Sequence, residues 1–161
     1  MTQEEFVNIF NNNFDTVRNY IYYRCGDVNL ATDVAQDTFT KLWEKRSKFS
    51  DDNIKGLLFK ISRDIFISAY RKNVRETDFN FRMKPEYENQ SPLDILQYDE
   101  LKMHYNNLLK SMPEKQRVVF LMHRMDNLKY AEIASALGLS QKAIEKRMKL
   151  ALDYLKKHIN N

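Results

Sequence analysis

The side chains that most often catalyse reactions are few in this sequence and stand far apart. Its three histidines, His104, His123 and His158, are widely separated, and no HExxH, CxxC or nucleophile-elbow motif occurs. The single cysteine, Cys25, cannot form an intramolecular disulfide. The sequence therefore predicts neither an enzyme nor a metal centre, and we expect no cofactor and no small-molecule substrate.

Glycine is also scarce, with three residues where average usage would give roughly eleven. Gly26, Gly56 and Gly138 lie too far apart to form a phosphate-binding loop, which argues against P-loop and dinucleotide-binding folds. The longest apolar run, Val118 to Met122, is far shorter than the roughly 20 residues of a membrane-spanning helix. With one cysteine and a polar, acidic beginning, the sequence favours a cytoplasmic protein.

The chemistry that the sequence does favour is DNA binding, because residues 130–147 have the spacing of a helix-turn-helix motif. Ala134 is small enough for a second helix to cross closely, and Gly138 can adopt the positive φ that ends the first helix. Ser140 can cap the second helix, and Ile144 returns to the shared core. Plain helical hairpins can show the same spacing.

The second helix of this motif is predicted to be amphipathic. Its apolar face continues behind Ile144 through Met148, Ala151/Leu152 and Leu155. Such a helix presents its first residues to base edges in the major groove and its lysines to phosphates. The outward face then carries Gln141, Lys142, Glu145, Lys146 and Lys149, with Arg147 at its flank.

Helices are predicted in the N-terminal half as well. Thr2 and Glu5 match a capping box for a first helix that ends at Gly26. A second helix is expected over residues 30–44, and a third from about Asp52 towards Asn73. Three helices in about 70 residues make a compact bundle.

Residues 76–92 have no helical periodicity and include Pro85 and Pro92, which is typical of a linker. Ser91 and Pro92 then mark the start of another helix, and Pro113 precedes the next one. The first of these helices carries an apolar stripe of Leu93, Leu96, Leu101, Tyr105 and Leu108.

The net charge of +4 is distributed unevenly along the chain. Residues 1–75 carry 12 basic and 10 acidic side chains, residues 76–100 carry 2 and 7, and residues 101–161 carry 12 and 5. We therefore expect an all-α fold of two small domains, a three-to-four-helix bundle and a helix-turn-helix domain, joined by an acidic linker. The basic C-terminal domain suits a polyanion, although solvated helix faces would give the same count.

Two blocks of residues resemble a known family. Residues 112–120, followed by the helix-turn-helix, resemble region 4 of bacterial sigma factors. Residues 33–39 with Leu42-Trp43, then residues 58–63 and Arg71-Lys72, resemble their region 2. The whole chain is similar to a small extracytoplasmic-function (ECF) sigma factor, with region 2 in residues 1–75, a linker in 76–100 and region 4 in 101–161.

The resemblance implies a subunit that binds core RNA polymerase and directs transcription initiation at promoter DNA. Region 4 would read the minus-thirty-five element through the outward helix face and Ser140, with Lys115 and Arg117 beside it on phosphates. Region 2 would bind core polymerase through Asp33, Gln36, Asp37 and Phe39. It would contact and melt the minus-ten element through Trp43, Lys45, Arg46, Lys48, Arg63, Asp64, Ser68, Tyr70, Arg71 and Lys72.

For some of these region 2 residues, structural roles stay open. Asp33, Gln36 and Asp37 would equally form a solvated face with Phe39 buried internally. Trp43 would equally pack in the core, and Arg71-Lys72 would stabilise a helix C-terminus.

The sequence departs from the family pattern at two places. Asp64 and Ser68 stand where the family has Asn and Asp, and a carboxylate cannot donate hydrogen bonds to bases as an amide can. Lys129, where the family has Ser or Thr, is a poor helix cap. Minus-ten specificity therefore cannot be transferred from the family.

Two alternatives come from other classes of protein. A stand-alone helix-turn-helix repressor or activator would bind duplex DNA without polymerase, and a helical interaction adaptor would bind neither. The family resemblance also raises an anti-sigma factor as a further partner, which would mask the acidic face of region 2.

Overall fold

The computed structural model describes residues 1–73, 77–81 and 91–159, and the regular elements in these ranges are helices without any strand. The all-α prediction is confirmed. The α-helices of these ranges are α1 (Gln3–Cys25), α2 (Val28–Glu44), α3 (Ile54–Ile65), α4 (Pro92–Ser111), α5 (Glu114–Arg124), α6 (Tyr130–Leu137) and α7 (Gln141–His158).

The predicted caps of α1 are present. The Thr2 hydroxyl accepts from the Glu5 amide at 3.2 Å, and the Glu5 carboxylate accepts from the Thr2 amide at 2.8 Å, which completes the capping box. At the other end Gly26 has φ 69°, the left-handed conformation that glycine adopts without strain. Its carbonyl accepts from the Asp78 amide, so the residues after region 2 pack directly on this turn.

Helix boundaries differ from the predictions by a few residues where a polar side chain supplies the cap. α2 begins at Val28, because Asp27 accepts from the Leu30 amide at 3.1 Å. α3 begins at Ile54, because Asn53 caps it through the Gly56 amide. After α3 the chain continues as a π-helical turn (Phe66–Tyr70) and a 3-10 turn (Arg71–Asn73).

The predicted linker, residues 76–100, contains both extended and helical residues among those that the structure describes. Residue 76 and residues 82–90 lie outside the described residues, and residues 92–100 belong to α4. Residues 77–81 are extended, with Phe79 and Phe81 only 4% and 7% exposed. At least this part of the segment is packed against the fold.

A small aromatic core fills the N-terminal end of the α1–α2–α3 bundle. Phe39 lies at its centre, 2% exposed, with its ring 5.0 Å from that of Phe10 and 5.9 Å from that of Phe14. The expectation that Phe39 binds core polymerase is therefore corrected, because its surface is already buried inside the helical bundle.

A larger core is shared by both halves of the chain. Tyr20 and Ile21 of α1 lie in the same buried cluster as Leu121 of α5 and Ile133 of α6, and Phe79 and Phe81 complete it. The two predicted domains are thus packed against each other around one apolar interior.

The predicted apolar stripe of α4 is buried only in its second half. Leu108 is 8% exposed, whereas Leu93, Leu96 and Leu101 are 62%, 55% and 48% exposed. On α7, Leu152 is 51% exposed and does not belong to the core face.

Among the described residues, no helix is both long and apolar enough to span a membrane.

Candidate nucleic-acid interface

The helix-turn-helix has the geometry that its sequence predicts. Gly138 ends α6 with φ 66°, and its amide donates to the Ala134 carbonyl. Ser140 caps α7 by accepting from the Ala143 amide at 3.1 Å, and Ile144 is fully buried. Lys129 precedes α6 without a side-chain cap of its own, and only the Glu132 carboxylate accepts from its amide. The turn thus holds α7 firmly against α5 and α6.

The outward face of α7 is exposed over three turns. None of the ion pairs formed by the described residues involves its cations, so their charges are free for a partner. A helix with lysines and hydrogen-bonding side chains exposed in this way has the donors that base edges and phosphates require. The exposed residues are Gln141, Lys142, Glu145, Lys146 and Lys149, and Ser140 is exposed beside them. Arg147 is half-buried and lines a cleft together with Arg24 and Arg63 of the N-terminal half.

The two basic residues predicted beside this helix differ in environment. Lys115 is exposed at the start of α5. Arg117 is 5% exposed, and its guanidinium donates to the carbonyls of Tyr23 at 2.8 Å, Arg24 at 2.7 Å and Met112 at 3.1 Å. Burial lowers the pKa of Arg117. Its prediction as a phosphate contact is therefore corrected, because backbone carbonyls occupy its donors.

Arg117 belongs to a group of polar contacts between the two halves, which we call the interdomain clasp: Arg24, Glu114, Arg117 and Asp126. The Arg24 Nε lies 2.6 Å from the Glu114 carboxylate. Asp126 accepts from the Tyr23 hydroxyl at 2.9 Å. Sequence reasoning missed this clasp. The sequence feature that could have indicated the clasp is the presence of Glu114 and Asp126, which are two of the few acidic residues in the basic segment 101–161.

Burial changes the ionisation of the clasp. Burial raises the pKa of Asp126, while hydrogen bonds from Tyr23 and Asn19 oppose that shift. Both bonds go to Oδ1, and Oδ2 is buried without a partner among the described residues. Burial and the nearby Asp126 also raise the pKa of the Tyr23 hydroxyl. The clasp therefore contains a carboxylate in an environment that disfavours its charge.

On α2, Asp33, Gln36 and Asp37 are exposed. Together they form an acidic, hydrogen-bonding face with room for a basic partner. The Tyr70 hydroxyl, from the turn after α3, donates a hydrogen bond to Asp37. That hydrogen bond, with burial and the nearby Asp33, raises the pKa of Tyr70 to about 12. Tyr70 is thus held at this face instead of projecting freely into solvent.

The other predicted minus-ten residues lie at two places in region 2. At the end of α2, the Trp43 ring packs 4.9 Å from that of Phe6, and Arg46 lies 4.0 Å over Trp43. Lys45 and Lys48 are exposed beside them. Along α3 and its continuation, Arg63 is half-buried, and the exposed residues are Asp64, Ser68, Arg71 and Lys72.

Two of these side chains already have partners within the fold. The Ser68 hydroxyl donates to the Asp64 carbonyl at 2.7 Å, and Arg71 lies 3.9 Å from Glu114. The other exposed side chains of this set offer both cations and polar groups to a partner.

The described residues contain no cluster of three or more potential metal ligands. Cys25 is buried, and burial raises its pKa to about 11. His104 and His123 hydrogen-bond backbone carbonyls, at 3.1 and 2.9 Å. These side chains are structural.

Two family descriptions match the chain. Residues 9–76 match "Sigma-70 region 2" and residues 105–155 match "Sigma-70, region 4". The two matches lie in that order, on the bundle of α1–α3 and on the domain that holds the helix-turn-helix.

Named relatives extend over most of the chain. The ferric citrate uptake sigma factor FecI of Escherichia coli is 26% identical over 77% of this chain and 73% of its own. The RNA polymerase sigma factor YlaC of Bacillus subtilis is 24% identical over 98% of this chain and 93% of its own. The ECF RNA polymerase sigma factor RpoE of Cereibacter sphaeroides is 24% identical, with 96% of this chain and 86% of its own covered.

A solved structure has the same fold. It is the sigma factor RpoE of Bartonella quintana, in complex with the anti-sigma factor NepR. The TM-score is 0.65 with 22% sequence identity, and 98% of each chain is covered.

Proposed function

The chain belongs to the sigma-70 family as an ECF-type sigma factor, and from that membership we propose which of its surfaces carries each step of initiation. As a sigma factor it directs RNA polymerase to promoters and catalyses no reaction itself. We divide it into region 2 (1–75), a linker (76–100) and region 4 (101–161), with the second half of the linker already helical in α4.

Region 4 reads the minus-thirty-five element through the outward face of α7. The observation that carries this assignment is the set of exposed side chains on a capped, core-anchored helix, none of them engaged in an ion pair within the described residues. Gln141 and Lys142 lie in the first turn, where a recognition helix meets base edges. Lys142, Lys146 and Lys149 contact phosphates along the same face, with Lys115 beside them.

Region 2 binds core polymerase through Asp33, Gln36 and Asp37 on α2. Exposed carboxylates beside an amide suit basic residues on a partner, because charge-assisted hydrogen bonds are the stronger ones. The minus-ten element meets the exposed cations at the end of α2 and along the turns after α3, namely Lys45, Lys48, Arg71 and Lys72. Tyr70 reaches unpaired bases once it leaves Asp37.

One experiment tests this assignment as a whole. The purified protein is added to core RNA polymerase on a double-stranded template that carries candidate promoters. We expect promoter-specific transcripts, and we expect the double variant Asp33→Asn/Asp37→Asn to lose them at limiting sigma concentration. Transcription that is unaffected by this variant would contradict the assignment of the acidic face.

We further propose an anti-sigma partner that covers the same acidic face. Asp33 and Asp37 are exposed and would lose contact with polymerase if a basic surface occupied them. The Bartonella quintana RpoE structure, which has the same fold, is a complex with the anti-sigma factor NepR. We place the protein in the cytoplasm, where transcription takes place.

A further inference from the structure

A cleft of about 230 Å³ lies between regions 2 and 4 and has an unusual lining. Its apolar floor comes from Val118 of α5 and from Leu137 and Leu139 around the helix-turn-helix turn. Its charged wall is contributed by four helices, with Arg24 from α1, Arg63 from α3, Lys115 from α5 and Arg147 from α7. Glu114 is the one carboxylate among these lining residues.

The positive charge of this cleft is not balanced inside the protein. Arg24 is paired with Glu114, but the ion pairs among the described residues do not include Arg63, Lys115 or Arg147. The Arg24 side chain is only 12% exposed, and its Nη1 is buried without a hydrogen-bond partner among the described residues. Clustered cations beside an apolar floor repel one another more strongly than in open water. An anion in the cleft would remove this repulsion.

We propose that the cleft binds a small molecule that carries two or more phosphate groups. Four cations and one carboxylate leave an excess of three positive charges, and a phosphate monoester carries about 1.5 to 2 negative charges at neutral pH. Two phosphate groups therefore match the excess better than one. Arginine forks bind phosphate oxygens in pairs, and three of the four cations are arginines.

The size of the cleft agrees with such a ligand. The cleft is open to solvent and has space for several water-sized groups. A short chain of phosphates fits in this space. A DNA duplex reaches the exposed face of α7, whereas Arg24 lies deep between α1 and α5.

The ligand would hold regions 2 and 4 together, because its contacts come from both. A molecule that binds only the closed arrangement stabilises it by mass action. Lys115 is also assigned to promoter DNA, and the sequence predicts promoter contacts for Arg63 and Arg147, so the bound anion would compete with the promoter. This competition rests on the proposed function, whereas binding of the anion does not.

Calorimetric titration of the full chain with tripolyphosphate, at constant ionic strength and without polymerase or DNA, tests the site. We expect one saturable site, with affinity reduced about tenfold in Arg147→Gln and in Lys115→Gln, the loss of one charge-assisted contact each. Arg124→Gln and Lys157→Gln are the matched controls, because both side chains are exposed and lie outside the cleft, and should bind like wild type. Circular dichroism confirms that each variant is folded.

Two results would overturn the proposal. They are the absence of saturable binding and an equal loss of affinity in cleft and control variants. The transcription experiment tests the sigma-factor assignment without tripolyphosphate. Failure of the anion site can therefore be told apart from failure of that assignment.

Discussion

Cations of the same formal charge serve different purposes at different residues of this protein. Lys142 and Lys146 are exposed on α7 and have no ion-pair partner among the described residues. Arg117, in the same basic half, is buried and donates to backbone carbonyls of α1 and α4. The physical difference is desolvation: a buried charge needs fixed acceptors, whereas an exposed one keeps water that DNA phosphates can replace.

We expect Lys142→Ala and Lys146→Ala each to weaken promoter binding by the holoenzyme and to flatten its salt dependence. Each phosphate contact removed changes the slope of log K against log salt by about one unit. Fluorescence anisotropy over a salt series measures this slope. Lys156→Ala, at the exposed far end of the same helix, should keep the wild-type slope. Equal slopes for all three variants would mean that the recognition face is elsewhere.

Asp126 gives stability a pH dependence. Its pKa is raised on folding, so the folded state holds the proton more tightly than the unfolded state does. Its contribution to the free energy of unfolding is therefore present at low pH and is lost as the pH rises through the folded pKa. Asp126→Asn does not titrate, and its stability relative to wild type should increase between pH 4 and pH 7. Urea unfolding measures the difference, with the exposed Asp153→Asn as control. A pH-independent difference would contradict this account.

At the scale of elements, the two helix-ending glycines have different physical requirements. Gly138 has φ 66° with nothing near the position of an added Cβ, so alanine there would cost only backbone strain, about 1–2 kcal/mol. Gly26 has φ 69°, and its Cβ would lie 2.5 Å from the Thr77 Cγ2 and 2.8 Å from the Asp78 amide nitrogen. The α1 turn therefore needs glycine for both conformation and space.

We predict that Gly26→Ala lowers the free energy of unfolding clearly more than Gly138→Ala does. The additional cost comes from displacing residues 77–81, which carry the buried Phe79 and Phe81. Urea denaturation of the two variants gives the comparison, and each serves as the other's control. Similar losses of unfolding free energy in both variants would show that Thr77 can move away from an added Cβ at little energetic cost.

At the scale of the whole molecule, regions 2 and 4 share one core and are joined by the interdomain clasp. Arg117 is central to that clasp because it connects the C-terminal end of α1 to the end of α4. Its ring neighbour Phe79, 4.8 Å from the guanidinium, brings the segment after region 2 into the same contact. The free protein is therefore expected to unfold as one cooperative unit.

Arg117→Ala should reduce the free energy of unfolding by about 3 kcal/mol, since it leaves several buried carbonyls unpaired. It should also separate the single unfolding transition into two, because region 2 keeps its own aromatic core. Differential scanning calorimetry measures both effects. Arg124→Ala, exposed on α5, should change stability by less than about 0.5 kcal/mol. One unchanged transition in Arg117→Ala would show that the apolar core alone joins the regions.

The sequence by itself determined the features that depend on neighbours along the chain. The capping box at Thr2, the turn at Gly138 and the cap at Ser140 are local, because each involves residues three or four positions apart. The all-α fold could be predicted for the same reason, whereas the order of the two regions was predicted from the resemblance of two blocks of residues to a known family. The exposed cations of α7 could be predicted from periodicity alone.

Only the tertiary structure decided which partner each apolar or charged face meets. Periodicity places Phe39, Arg117 and Leu93 on helix faces, but it does not show that the first two are buried and the third exposed. The clasp joins residues about 90 positions apart or more, Arg24 with Glu114 and Tyr23 with Asp126, and no local pattern encodes that pairing. Phe39 is buried in the aromatic core of region 2, and Arg117 is buried where regions 2 and 4 meet, so both depend on contacts that exist only in the folded chain.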